Sequence, residues 1–145
     1  MVGDVPNTGR GQGMGGRDPR RTSGTRRNHT LARVRARRDP CWICGLPIDY
    51  SLPARHPLSY ECDELVPVSL GGSPYRLDNC AAAHRCCNNW RSNRTVEQVE
   101  SFKRRVASQG FAYRSPFEFI EAAKRVVKTI RIEGASSQLK RSRRW

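Results

Sequence analysis

Apolar positions recur at helical spacing in three parts of the chain and alternate in one. Leu31 and Val34 share a face over residues 30–38, which predicts a short helix capped by Thr30. Asp39-Pro40 stops it, because a residue before proline is kept out of the helical region. Residues 46–58 contain three prolines and predict a loop. Residues 60–68 alternate as a strand, with Pro67 placing it at a sheet edge or near its end. Gly71-Gly72-Ser73-Pro74 supplies a turn, residues 77–83 a returning strand or extended loop, and residues 84–93 a short helix. Thr95-Val96-Glu97-Gln98 is a capping-box pattern opening a helix that Gly110 ends, with Val96, Val99, Phe102 and Val106 on one face. Ser115-Pro116-Phe117-Glu118 is a second such pattern, with proline at its preferred first helical position. Phe117, Ile120, Val127 and Ile130 then form an apolar face, and Lys124, Arg125, Lys128 and Arg131 cover much of the rest.

Charge divides this chain of 145 residues into a core and two cationic ends. The net charge of +14 is concentrated in residues 1–38, with ten arginines against Asp4 and Asp18, and in residues 138–145, with Lys140, Arg141, Arg143 and Arg144. Residues 1–28 are Gly-, Arg-, Thr- and Ser-rich and read as a disordered basic arm. Their GRGQGMGG run follows no strand and opens no helix, so it is a linker and not a phosphate-cradling loop. Residues 29–132 form one domain and 133–145 a basic tail. Cationic ends of this kind neutralise phosphates and release counterions, which points to a nucleic-acid partner. No apolar run approaches the ~20 residues that span a bilayer, so a cytoplasmic protein without a membrane anchor is expected. In a reducing compartment, six cysteines favour metal over disulfides.

Cys41-x-x-Cys44-Gly45 has the spacing of a zinc knuckle, the glycine permitting a tight turn after the second thiol. His84 and Cys87 provide a second pair, three residues apart on one side of a helical turn. Cys86 and Cys80 compete for the same vertices, and Cys62 reads as a packed strand residue. A small core gains from such a metal staple.

CWICG, DELVPVSLGG, the Asn of LDN and AHRCCNNWR, taken together in this order and spacing, resemble the HNH endonucleases, in particular the small zinc-containing ones of tailed phages. The similarity runs from Cys41 to about Arg94. It implies an α+β, zinc-stabilised ββα-metal fold with flanking helices: a hairpin bearing the catalytic residues, packed on a helix bearing a metal ligand. Carried over by position, Asp63 and Asn88 would ligate a catalytic Mg²⁺ or Mn²⁺, and Asn79 would brace the loop that orients the general base. Cys41, Cys44, His84 and Cys87 fall at the structural zinc positions. Arg85, Arg91 and Arg94 are candidate phosphate contacts.

One position departs from the family pattern. Glu64 stands where the water-activating histidine is expected. An unperturbed Glu lies about two pK units below His and is the weaker base. It acts either as the base, helped by burial and by Asp63, or as a further carboxylate ligand. His56 and His29 are minor candidates for a substitute base. The expected activity is hydrolysis of phosphodiester bonds in double-stranded DNA, and the resemblance adds the terminase large subunit as a partner in DNA packaging. The competing reading is a zinc-stabilised nucleic-acid-binding module that has lost catalysis with its histidine.

Overall fold

The structure, a computed structural model, describes residues 24–141 and, among them, side chains as far as residue 129. It is α+β, with helix α1 (Gly24–Arg37), strands β1 (Tyr60–Glu64) and β2 (Cys80–His84), and helices α2 (Arg85–Arg91), α3 (Val96–Ser108) and α4 (Pro116–Arg141). Residues 1–23 of the predicted arm, the last four residues, and the side chains of Ile130 and Arg131 lie outside the described part. No helix among the described residues is long and apolar enough to cross a membrane.

Helix α1 begins at Gly24, within the stretch expected to be disordered. Thr30 is therefore not a cap. It is buried in mid-helix, and its hydroxyl donates to the Tyr75 carbonyl at 2.6 Å, fastening α1 to the segment before β2. Val34 is fully buried, and the helix ends as Arg38 turns left-handed (φ 55°) just before Asp39-Pro40.

Strand β1 stops at Glu64, four residues short of the predicted end. Beyond it the chain folds back on itself: Leu65 N donates to Asn79 O, and a 3-10 turn over Val68–Leu70 closes at Gly71 (φ 88°). The returning segment starts as a 3-10 turn, Leu77–Asn79, so β2 covers only five residues. The strands pair antiparallel, from Tyr60 opposite His84 to Glu64 opposite Cys80.

Strand alternation sends Tyr60, Cys62 and Glu64 to one face and Glu61 and Asp63 to the other. Helix α1 covers the first face, with Tyr60 Oη 3.4 Å from Leu31 O and Arg27 reaching Glu64. Helix α2 covers the second, where Asn88 and Arg91 meet Glu61 and Asp63. The order around the site is thus strand, strand, helix, with α3 and α4 packed behind.

Thr95 and Gln98 form a complete capping box at the start of α3. At α4 only half of the predicted box is made: Ser115 Oγ accepts from Glu118 N, but the Glu118 carboxylate accepts from Arg114 N. The apolar face of α4 also differs from the prediction. Ile120 is buried as expected, but Phe117 is 48% exposed, while Phe119 is fully buried edge-on against Trp90 and Tyr113, with Ala122, Ala123 and Val126 continuing the buried stripe.

Candidate metal centre and adjoining pocket

The ligand atoms of Cys41, Cys44, His84 and Cys87 all lie within 4.8 Å of one another, and all four residues are buried. A tetrahedral zinc with Zn–S bonds near 2.3 Å sets its donors roughly 3.8 Å apart, so this Cys3His set suits such an ion. Local structure delivers each donor. Gly45 (φ 75°) lets the knuckle close, with Gly45 N donating to Cys41 O at 2.7 Å and Cys41 N to Leu46 O at 3.0 Å. Lys103 Nζ on α3 donates to Trp42 O, and Tyr113 Oη donates to Cys44 O. His84 ends β2 and Cys87 lies one turn into α2. His84 turns Nδ1 toward Cys44 Sγ at 3.5 Å, while Nε2 sits 3.1 Å from Pro47 O. That outer contact fixes the tautomer with Nδ1 as the free donor to a metal, as second-sphere partners of ligating histidines do.

Three thiols this close cannot all ionise unaided. Cys44 and Cys87 hydrogen-bond to Cys41, holding its thiol far below the ordinary range, while Cys44 is pushed up to about 12 and Cys87 higher still. A bound cation would remove that conflict by stabilising every thiolate together. Cys80 and Cys86, the alternative ligands, lie outside the cluster. Cys62 packs near Cys80 across the hairpin, and burial together with that neighbour pushes its thiol up to about 12.

Beside the sulfur cluster, at the end of β1, opens a polar pocket of ≈ 340 Å³ lined by Arg27, Asp63, Glu64, Asn88 and Arg91 among others. Asp63 is only 6% exposed. Its Oδ2 accepts from Trp42 Nε1 at 2.9 Å and its Oδ1 from Arg91 Nη1 at 2.5 Å. Burial pushes the Asp63 carboxyl up from its ordinary value, against the pull of Arg91 and Trp42. Asn88 Nδ2 donates to Glu61 Oε2 at 2.9 Å, which turns its carbonyl oxygen away as the remaining acceptor. Glu64 faces Arg27, Nη2 to Oε1 at 3.7 Å.

Asn79 pins the chain just after Glu64. Its Oδ1 accepts from Val66 N at 2.9 Å, and its Nδ2 donates to Val66 O at 2.9 Å and Ser73 O at 3.1 Å. One side chain thereby closes both backbone groups of Val66 and ties them to the far side of the loop.

The three candidate phosphate contacts separate. Arg91, expected to be available to phosphate, is 3% exposed, because its guanidinium also donates to the carbonyls of Glu64, Leu65 and Arg94. It braces the strand end. Arg94 hydrogen-bonds to Trp90 O and stacks over the Trp90 ring at 4.7 Å. Arg85 is partly exposed and pairs with Glu61 at 3.1 Å. His56 sits in an exposed loop with Nδ1 accepting from Leu58 N, and His29 is exposed on α1; neither lines the pocket.

Arg27 and Trp42 were not singled out from the sequence. Trp42, between the two knuckle cysteines, carried a usable signal, since a buried indole N–H seeks an acceptor. Arg27 carried none, being one of many arginines in a basic stretch. Compared with protein-family models, characterised proteins and solved structures, the chain gives no match.

Proposed function

We propose that the chain is a zinc-stabilised, divalent-cation-dependent endonuclease of the HNH kind acting on double-stranded DNA. The observation that carries this reading is the pocket at the hairpin end, where Asp63, Glu64 and Asn88 converge beside the Cys3His cluster. The donors suit a hard cation. Mg²⁺ commonly takes one or two carboxylates and completes its shell with water and substrate phosphates. Each Asp63 oxygen accepts one hydrogen bond and keeps a second lone pair, and Asn88 offers its amide oxygen.

A divalent cation bound there would stabilise charge developing on the phosphate and its leaving oxygen. The residues divide the remaining work. Arg91 and Trp42 hold the Asp63 carboxylate in place, and Asn79 holds the turn that follows Glu64. Glu64, largely buried at the rim, accepts the proton of the attacking water. Zinc held by Cys41, Cys44, His84 and Cys87 would fix the end of β2 and the start of α2, which carries Asn88, against the knuckle. The excess of arginine at the chain's ends binds the backbone without regard to base sequence.

A second reading has its own observation. Asp63 bound by Trp42 and Arg91 is also what a purely structural aspartate would look like. On that reading the chain is a zinc-stabilised DNA-binding module without catalysis. Relaxation of supercoiled plasmid in Mg²⁺ or Mn²⁺ separates the two. The nuclease reading expects nicked or linear product, and a Glu64→Gln protein slower by about 10²-fold or more, the usual contribution of a general base. Asp63→Asn is preferable to Asp63→Ala because it keeps the side chain's size and one acceptor oxygen for Arg91. Both variants remove the charge that offsets the buried guanidinium, at a cost of up to about 3–5 kcal/mol, so a melting curve accompanies the assay. Folded, zinc-loaded wild-type protein that leaves plasmid supercoiled in both metals establishes the binding module instead.

A further inference from the structure

Among the residues lining the pocket, Arg27 comes from neither the hairpin nor α2 and its cap. It projects from the first turn of α1, which the buried Thr30 and Val34 hold against the sheet. Two features show that the folded protein leaves its donor capacity unused. Its ion-pair partner is Glu64, with Nη2 3.7 Å from Oε1, well beyond the 2.7–2.9 Å of a charge-assisted hydrogen bond. Its Nε is buried and has no hydrogen-bond partner, and polar atoms left so are uncommon in folded proteins. Arg91, the pocket's other guanidinium, is by contrast occupied on every side by Asp63 and three carbonyls.

We propose that Arg27 binds a DNA phosphate in this pocket, its planar guanidinium donating to non-bridging oxygens. A phosphate is the acceptor whose shape and charge match that fork, and arginine suits it better than lysine because the donors are rigidly spaced. Arrival of the phosphate exchanges a long ion pair for short charge-assisted bonds and draws the cation away from Glu64. Helix α1 thereby becomes part of the DNA-binding face, placing the backbone over Asp63, Glu64 and Asn88. The inference rests on the DNA reading above, though not on cleavage.

The test measures binding of the full chain to a labelled duplex across a range of NaCl concentrations, without added divalent cation. Each phosphate neutralised contributes roughly 0.9 to the slope of log K against log salt. Arg27→Ala and Arg27→Gln should each lower that slope by about 0.9, with Arg27→Lys keeping it. Zinc content and melting temperature, measured alongside, identify any variant that fails to fold, and Arg27→Gln carries the test if Arg27→Ala does. With Mn²⁺ present, single-turnover cleavage at saturating protein should fall at least tenfold in Arg27→Gln and recover in part in Arg27→Lys. A wild-type slope in folded Arg27→Gln overturns the proposal even if the protein cuts DNA. A lowered slope in a protein that cuts nothing upholds it and removes the nuclease reading alone.

Discussion

A methyl group at position 72 would sit 1.7 Å from the Val66 carbonyl oxygen and 3.0 Å from the Asn79 amide nitrogen. Glycine there permits the close approach that brings Val66 within reach of Asn79. The contact is with backbone, so the loop cannot accommodate a side chain by a rotamer change. Gly72→Ala is expected to destabilise the fold by about 2–3 kcal/mol, the upper range for overpacking, as read from urea unfolding. It should also impair any activity that depends on Glu64, because the turn after Glu64 is what moves. Wild-type stability in that variant would show that the loop adjusts freely. The sequence marked Gly71-Gly72 as a turn, but only the left-handed Gly71 serves that purpose; Gly72 answers to a neighbour across the hairpin. Asp63 is a similar case. Its type and position were legible, whereas its partners Trp42 and Arg91, 21 and 28 residues away, were not.

At the scale of elements, start signals in the sequence were local and therefore readable. The Thr95–Gln98 box is complete in three dimensions because all of its donors and acceptors lie within four residues. Thr95→Ala should cost about 1 kcal/mol, measured as a drop in the urea midpoint with an unchanged m-value, and should leave zinc content alone. Loss of zinc in that variant would mean that α3 supports the knuckle more directly than the single Lys103 contact to Trp42 O suggests. The interior faces were less readable. In α4 both Phe117 and Phe119 are spaced for a helical stripe, and periodicity cannot choose between registers two residues apart. Trp90 and Tyr113 choose Phe119 by offering it two aromatic edges. Helix α1 extends further toward the N-terminus than its pattern predicts for a related reason: the arginines around Gly24 give no apolar signal, and its early turns are held by Thr30 meeting Tyr75 O and by Arg26 over the Tyr75 ring.

For the whole molecule, the buried Cys3His cluster ties together a knuckle, the end of a strand and the start of a helix. Apparent binding energies of structural zinc reach about 10–16 kcal/mol, comparable to or larger than the ~5–15 kcal/mol by which small domains are stable. Metal removal should therefore unfold the protein. Incubation with a strong zinc chelator is expected to abolish the cooperative thermal transition, and Cys87→Ser to lower bound zinc from about one per chain. A chelated protein that keeps its sharp melt would show that hydrophobic packing of α3 and α4 suffices, and would demote the cluster to four buried thiol and imidazole groups.

The amino-acid order by itself determined what depends on near neighbours: the knuckle turn, the His84–Cys87 spacing on α2, the hairpin punctuation, the capping box and the cationic ends. Each rests on residue types a few positions apart, whose physics is the same in any context. Tertiary structure decided which groups from distant segments meet. It chose Cys87 over Cys86 and Cys80 by the direction in which α2 leaves β2, buried Arg91 against Asp63, and set Arg27 over Glu64. Those outcomes follow from how the two faces of one short hairpin are covered by different helices, and no local pattern encodes that pairing.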